Sequence, residues 1–162
     1  MPSTKVIFLD IDGVLNSEEG FERNKGTNWN MLDPILVERF NRLVEETGAK
    51  VVLSSSWRLD TDWYEKMLKG GLKCTFLGRT PRMPRPVGTS AEYAERGKEI
   101  LEWLSINPYG VSAYAIIDDD PDFLPDQPLF RTSFKTGLTD EICEAVKSHL
   151  STPINPRRSS TG

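Results

Sequence analysis

Three short apolar runs in this chain each end abruptly in a polar cluster, and this pattern limits what the chain can fold into. Residues 5–9 (KVIFL) run into DIDG, residues 50–53 (KVVL) into SSSWR, and residues 113–117 (AYAII) into DDDPD. Short apolar runs with β-branched members predict strands that are buried on both faces of a sheet. Segments with helical periodicity separate the runs, so we expect an α/β, Rossmann-like three-layer fold with a mostly parallel central sheet.

Local end signals place helices between these strands. Asp33 has the identity of an N-cap, Pro34 suits the first helical position, and Gly48 follows the last apolar residues at helical spacing. Other expected elements are helices at about 60–69 and 139–150, a helix at the capping-box pair Thr89 and Glu92, short strands at 73–78 and 129–134, and loops at 16–31 and 79–90. We expect residues 1–150 to form one domain and residues 151–162 to be a disordered tail.

Composition argues against a membrane protein. The 162 residues are 38% hydrophobic and 27% charged with a formal net charge of -4, which is typical of a globular domain. This charge gives no general attraction to nucleic acid or to an anionic membrane. No apolar run approaches the ~18–20 residues of a membrane span, and the N-terminal apolar stretch is too short for a signal peptide. We therefore expect no membrane partner.

The two cysteines and the single histidine argue against several classes of enzyme and metal site. Cys74 and Cys143 have no metal or redox spacing, which suits buried or incidental thiols in a reducing, cytoplasmic location. His149 is the only histidine, which argues against a Ser-His-Asp enzyme or a histidine-rich zinc site. Nothing in the sequence indicates an obligate protein partner.

The polar clusters should meet at one place, because ligands of parallel sheets bind beyond the carboxyl ends of the strands. Asp10 and Asp119 could then supply carboxylates to Mg²⁺, which prefers one or two carboxylates together with water and substrate phosphate. A carboxylate such as Asp10 is also a competent nucleophile toward phosphorus. Asp12 could protonate a leaving alcohol and then activate water, and Gly13 permits the tight turn that this layout needs.

Two further groups complete this predicted site. Ser54 could donate a hydrogen bond to a phosphate oxygen, and a cation at Arg96 or Lys98 could offset the packed negative charge. Each cluster also has a plain structural interpretation: DIDG as a turn, the serines as caps, the acidic run 118–122 as a solvated turn, and the two cations as surface ion pairs. We favour the functional interpretation because each cluster follows a buried-looking strand and their order suits one shared site.

At this point the pattern resembles the haloacid dehalogenase-like (HAD) phosphatase superfamily. DIDGV matches the first motif of that family, an apolar strand followed by DxDG, and KVVLS looks like its second, an apolar strand closed by Ser or Thr. RGKEI resembles the third motif and IIDDDP the fourth, so the resemblance covers residues 5–120 and extends to the last helix. More narrowly, LSSSWR, RGKEILEWL and IIDDDPDF together are similar to the small domains of this superfamily that are linked with RNA-repair proteins.

The resemblance implies a role for each aspartate. Asp10 would be the nucleophile that becomes phosphorylated and also a metal ligand. Asp12 would be the general acid and base, with its backbone carbonyl on the metal. Asp119 would be a further metal ligand with Asp118 beside it, and the cofactor would be Mg²⁺. The presence of Asp12 argues against a dehalogenase, since a leaving halide needs no acid.

The roles implied for the remaining residues keep two alternatives open. Ser54 would contact the phosphate, with Ser55 as the competing choice because the register is ambiguous by one residue. Arg96 would hold the third-motif position, which is usually lysine, and Lys98 could fill that role instead. Apart from the resemblance, a path for substrate phosphates could be lined by Arg58, Arg79, Arg82 and Arg85, and a solvated arginine loop is the alternative interpretation.

The spacing of the motifs bears on the substrate. Only about 40 residues separate the first motif from the second and the second from the third, which leaves no room for a full cap domain. We therefore expect an open site, partly covered by a flap at 16–32 that carries Phe21, Arg23, Lys25 and Trp29. Because aromatic and basic residues together suit nucleic-acid ends, the first expected substrate is a nucleotide or nucleic-acid terminal phosphate. A phosphoprotein or a small metabolite phosphate comes next, and a non-catalytic module with the same fold and metal site is the rival.

Overall fold

In the part of the chain that the structure describes, a five-stranded parallel sheet lies at the centre. The computed structural model describes residues 4–24, 32–83, 96–107 and 110–151. The strands are β1 (Thr4–Leu9), β2 (Lys50–Leu53), β3 (Phe76–Arg79), β4 (Val111–Asp118) and β5 (Leu129–Arg131). They lie in the order β3-β2-β1-β4-β5, and every neighbouring pair is parallel. The predicted α/β, Rossmann-like three-layer fold is confirmed.

In the described part of the chain, five α-helices and one 3₁₀ turn accompany these strands, and the last helix follows β5. The helices are α1 (Glu18–Arg23), α2 (Pro34–Thr47), α3 (Trp63–Lys69), α4 (Arg96–Ile106) and α5 (Asp140–Ser151), and the 3₁₀ turn is Ser56–Leu59. The predicted ends of α2 are confirmed, because Asp33 caps it through the backbone N–H of Ile35 and Gly48 ends it at φ 71°. Among the described residues, no helix is both long and apolar enough to cross a bilayer.

The segment predicted as a loop at 16–31 begins with a helix instead. The Ser17 side chain accepts a hydrogen bond from the backbone of Gly20 and so caps α1, and Glu18 and Glu19 occupy its first turn. The loop prediction is wrong here because this short helix has no apolar periodicity that would indicate it. The predictions for Lys25, Trp29, Arg85, the pair Thr89 and Glu92, and the tail beyond residue 151 fall outside the described residues.

Alternate residues of the strands face two separate cores. Leu9, Leu53 and Ile117 point toward the core that α2 and α5 cover. Phe8 belongs to the opposite core, which contains Trp103 of α4, and the two rings meet edge to face with centroids 5.5 Å apart. In the β1–β2 and β1–β4 pairs Leu9 lies opposite Leu53 and Ile117, so a residue one position later on each strand turns toward the α4 side.

Candidate active site

The three polar clusters lie side by side at the carboxyl edge of the sheet. The backbone N–H of Ser54 donates to the carbonyl of Leu9 at 2.8 Å, and that of Asp10 donates to the carbonyl of Ile117 at 3.0 Å. These bonds extend the parallel ladders by one residue beyond their last paired apolar residues. Ser54, Asp10 and Asp118 therefore form one row across three adjacent strands, on the face that α4 covers.

Arg96 reaches this row from the first residue of α4. Its Nη1 lies 2.7 Å from Asp118 Oδ2 and 3.2 Å from Asp10 Oδ1. Its backbone N–H donates to Asp122 Oδ2 at 3.1 Å, which fixes the start of the helix against the acidic loop. Lys98, two residues further along α4, has an exposed side chain. Of the two cations that the sequence proposed for the third motif, Arg96 is the one in contact with Asp10.

Three carboxylates form a cluster that suits a metal ion. Asp10, Asp118 and Asp119 each place one oxygen within 4.8 Å of the others. Burial and the charge of Asp118 raise the pKa of Asp10 well above its usual value, although Arg96 opposes this shift. Burial likewise raises the pKa of Asp118. Because Mg²⁺ prefers hard carboxylate oxygens and would relieve this repulsion, these residues fit the expected cofactor.

Gly13 makes room for this cluster. Its φ is 84°, and a Cβ built on it would lie 2.1 Å from Asp119 Oδ2, so both the backbone and the space require glycine. Its N–H donates to Asn16 Oδ1 at 2.9 Å, and its carbonyl accepts from Thr132 Oγ1 at 2.7 Å. The turn after Asp10 is thus held on both sides, and it leaves space for the Asp119 carboxylate.

Asp12 is exposed and has its own supports. Its Oδ1 accepts from Asn16 Nδ2 at 2.9 Å and its Oδ2 accepts from Trp57 Nε1 at 3.2 Å. The Asp12 side chain lies outside the cluster of three carboxylates, so its expected place around a metal depends on its backbone carbonyl. The sequence prediction did not include either supporting residue. Asn16, which is 1% exposed and ends the run DIDGVLN, could have been suspected from its position; Trp57 could not.

The structure separates the two candidate serines. Ser55 caps the 3₁₀ turn, since its Oγ accepts from the backbone N–H of Trp57 at 3.1 Å. Ser54 is 1% exposed, and its Oγ has no hydrogen-bond partner among the described residues. The same holds for the hydroxyl of Thr80, whose backbone N–H continues the row by donating to Leu53 at 2.9 Å. A buried unpaired hydroxyl is costly, so Ser54 is the better placed of the two serines to meet a phosphate oxygen.

The structure places Arg58 away from the row of carboxylates. Its guanidinium donates to Glu99 Oε1 at 2.9 Å, to the Thr80 carbonyl at 3.0 Å and to the Ser55 carbonyl at 2.9 Å. The residue is 7% exposed, so its donors are directed into the protein. The three donors with partners thus bind groups of the protein, and the structure does not bring Arg58 into contact with the carboxylates of the row.

Three of the other predicted basic and aromatic residues contact side chains elsewhere in the protein. Arg23 forms an ion pair with Asp33, and the ring of Phe21 lies 6.2 Å from that of Phe134. Arg79 lies over the ring of Trp63 at 6.0 Å, and Arg82 is exposed. None of these contacts involves the carboxylates of the row.

Comparison with known proteins agrees with this geometry. No curated protein matches the chain. The family model described as the HAD domain in Swiss Army Knife RNA repair proteins matches residues 6–143, which include all three strand-end clusters and Arg96. The chain therefore belongs to the family of HAD domains found in Swiss Army Knife RNA repair proteins.

Proposed function

We propose that this domain is a magnesium-dependent phosphatase that acts through a phosphorylated Asp10. The observation that carries the proposal is the row at the carboxyl edge, where Asp10 lies between Ser54 and Asp118 with Arg96 3.2 Å away. A nucleophile, a hydroxyl donor, a metal carboxylate and a cation then share one edge of the sheet. Phosphoryl transfer depends mainly on such positioning and on charge stabilisation.

The proposed metal site consists of Asp10, Asp118 and Asp119. The Asp12 backbone carbonyl would complete the protein ligands. When bound, Mg²⁺ would neutralise charge on the transferring phosphoryl group. The residues that remain, Ser54 and Arg96, then orient the phosphoryl oxygens and limit the repulsion between the phosphate and the carboxylates.

The reaction has two steps, and protons balance in each. In the first, an Asp10 oxygen attacks phosphorus, the bond from phosphorus to the leaving oxygen breaks, and Asp12 gives its proton to that oxygen. In the second, Asp12 takes a proton from water, the water oxygen attacks phosphorus, and the bond to Asp10 breaks to release inorganic phosphate. Asn16 and Trp57 each donate to one Asp12 oxygen, which holds the carboxyl group in place through both steps.

The proposed substrate is a terminal phosphate of a nucleotide or nucleic acid. The description of the family refers to RNA repair proteins, which supports a nucleic-acid end over a phosphoprotein or a small metabolite. Asp12 is exposed, as a group that reaches a bulky leaving alcohol should be. We place this activity in the cytoplasm, where thiols such as Cys74 and Cys143 stay reduced.

The test compares Asp10→Asn with Asp126→Asn, a matched change at an exposed aspartate of the loop before β5. Release of phosphate from an aryl phosphate is measured with Mg²⁺ and with a chelator. We expect the Asp10 variant to lose at least about a thousandfold in rate, because removal of a nucleophile has effects of this size or larger. We expect Asp126→Asn to match the wild type and the chelator to abolish activity. Equal rates for Asp10→Asn and wild type would overturn the covalent mechanism.

A second assay addresses the substrate. Oligoribonucleotides and oligodeoxyribonucleotides with 3′- or 5′-phosphates are compared with the aryl phosphate by kcat/KM. We expect at least one class of nucleic-acid end to be hydrolysed faster than the aryl phosphate. If none is, the nucleic-acid part of the proposal is wrong while the phosphatase part stands.

A further inference from the structure

A cavity of about 780 Å³ lies beside the 3₁₀ turn and shares Trp57 with the active site. We propose that it binds the nucleoside that carries the scissile phosphate, with the base stacked against Trp57. This inference rests on the proposed phosphatase function and names the part of the substrate that the site recognises. The cavity is lined by residues that include Leu32, Pro34, Trp57, Lys66 and Lys69.

The side chain of Trp57 connects the cavity with the active site. The indole N–H of Trp57 donates to Asp12 Oδ2 at 3.2 Å, while the same residue lines the cavity. Asp12 protonates the leaving oxygen, so the organic group attached to that oxygen must lie close to Asp12. The cavity therefore opens on the side from which the leaving alcohol departs.

The size and the lining of the cavity fit a nucleoside. Ligand sites of small organic molecules have volumes of roughly 300–1,000 Å³ and mix apolar walls with a few polar groups. Leu32 and Pro34 supply apolar surface, and Trp57, which is partly exposed, supplies an aromatic ring. Bases stack on aromatic side chains with little dependence on sequence, which suits an enzyme that processes nucleic-acid ends.

The cavity is lined by two lysines of α3, Lys66 and Lys69, and by one acid, Asp60. Lys66 is paired with Asp60 at 2.8 Å and with Asp62 at 3.7 Å, so much of its charge is already balanced. Lys69 is exposed and forms no ion pair within the part of the chain that the structure describes. We assign Lys69 to the phosphodiester that follows the bound nucleoside, because nucleic-acid backbones are bound by exposed cations of this kind.

A second cavity of about 730 Å³ provides a control. It lies along α2 and is lined by residues that include Arg42 and Lys73, and it contains none of the residues of the carboxyl edge. Lys73 is exposed, as Lys69 is. The two cavities share Pro34 and Gly70, but Lys73 lines only the second, so its replacement by alanine removes the same charge without removing a wall of the proposed nucleoside site.

The first experiment separates the ring of Trp57 from its N–H. Trp57→Phe keeps an aromatic face and loses the donor to Asp12, whereas Trp57→Leu loses both. For each variant, kcat and KM are measured on a phosphorylated dinucleotide and on glycerol phosphate, which has no ring. We expect kcat to fall in both variants. We expect the ratio of the dinucleotide KM to the glycerol phosphate KM to rise about tenfold in Trp57→Leu and less than about twofold in Trp57→Phe. The same ratio in both variants would overturn the stacking proposal.

The second experiment compares Lys69→Ala with Lys73→Ala. We expect the KM for the dinucleotide, but not for the corresponding mononucleotide, to rise about threefold to tenfold in Lys69→Ala, and its dependence on salt to weaken. Lys73→Ala should behave as the wild type does on both substrates. Equal effects of the two variants would mean that general surface charge, and not this cavity, attracts the substrate.

A binding measurement keeps this proposal distinct from the phosphatase proposal. Calorimetric titration with the dinucleotide that lacks a terminal phosphate reports the cavity without any reaction. If the wild type binds it, Trp57→Leu does not, and no phosphate is ever released, the cavity stands and the proposed function fails. If phosphate is released but Trp57→Leu and wild type bind this product equally, the cavity proposal fails and the phosphatase remains.

Discussion

Two arginines that the sequence placed near the same site perform different tasks, and both tasks involve helix α4. Arg96 begins α4 and contacts Asp10 and Asp118 at the carboxyl edge of the sheet. Arg58 lies in the 3₁₀ turn and pairs with Glu99, which is one turn further along α4. The Arg96 side chain is 23% exposed, whereas those of Arg58 and Glu99 are 8% and 6% exposed. Arg96 therefore borders the carboxylate cluster, whereas Arg58 is buried.

The balance of charge differs between these two centres. Arg58 has one acid as partner, and two of its other donors meet backbone carbonyls, so its charge is paired within the protein. Arg96 contacts two of three clustered carboxylates, which leaves an excess of negative charge that a proton or a metal would neutralise. The pair of Arg58 and Glu99 ties the turn that follows Ser54 to the helix that carries Arg96. The buried pair thus helps to hold the helix whose first residue contacts the unbalanced carboxylate cluster.

The largest expected effect is a loss of stability when the buried acid Glu99 is neutralised. Glu99→Gln leaves the Arg58 charge buried and unpaired, so we expect the free energy of unfolding to fall by about 3–5 kcal/mol. Urea denaturation measures this change. Glu102→Gln, on the same helix, should change stability by no more than about 0.5 kcal/mol. The double variant Arg58→Met with Glu99→Leu should recover much of the loss; a double variant as unstable as Glu99→Gln would contradict the unpaired charge as the cause.

Replacement of the partly exposed Arg96 should lower activity instead. Arg96→Ala removes the cation beside Asp10, and we expect kcat on an aryl phosphate to fall by about 10²–10³-fold, as when one oxyanion donor is removed. Lys98→Ala is the matched change two residues away, and its effect should be far smaller. If Lys98→Ala lost as much activity as Arg96→Ala, the third-motif role would belong to Lys98.

The sequence predicted one of these two centres and missed the other for a physical reason. Asp10, Ser54 and Asp118 each follow an apolar run, and the alignment of parallel strands brings such strand ends together without further information. The contact between Arg58 and Glu99 joins residues 41 positions apart, and it depends on how a turn packs against a helix. Local patterns carry no signal for such a pairing.

The two hydrogen-bond donors to Asp12, which the sequence did not predict, also differ in how far along the chain they lie from it. Trp57 lies 45 positions from Asp12, and its indole could be placed there only by the packing of the 3₁₀ turn. Asn16 lies four positions from Asp12 and completes a local turn, so its role was within reach of sequence analysis. Helix α1 was missed because Ser17 begins it by capping, in a segment that lacks an apolar stripe.

A smaller expected effect distinguishes strain at a positive φ from contact with Asp119 of the carboxylate cluster. Gly13→Ala and Gly48→Ala both place a side chain at positive φ, 84° and 71°, and each should lose about 1–2 kcal/mol of stability. Only at Gly13 does the added Cβ meet Asp119, since Gly48 has no atom within 4 Å of its Cβ position. We expect the Mg²⁺ concentration for half-maximal activity to rise about 10–100-fold in Gly13→Ala and to stay unchanged in Gly48→Ala. Equal Mg²⁺ dependence would exclude Asp119 from the metal site.

The last expected effect is a dependence of stability on pH that the cluster should show in the absence of metal. Burial and the charge of Asp118 raise the pKa of Asp10, so the folded protein binds this proton more tightly than the unfolded chain does. The contribution of Asp10 to stability is then fully present below the ordinary carboxyl pKa of about 4 and is lost as the pH rises through the raised value. Asp10→Asn lacks this loss.

Thermal unfolding of wild type and Asp10→Asn in a chelator, over a series of pH values from acidic to neutral, tests this expectation. As the pH rises, the Tm of Asp10→Asn should increase relative to that of the wild type. A difference between the two Tm values that stays constant across the series would mean that Asp10 is not under electrostatic strain. Mg²⁺ in place of the chelator should raise the wild-type Tm more at neutral than at acidic pH, because the metal binds the deprotonated carboxylates. The same addition should shift Asp10→Asn less, since this variant has already lost one of the three charges that the ion would neutralise.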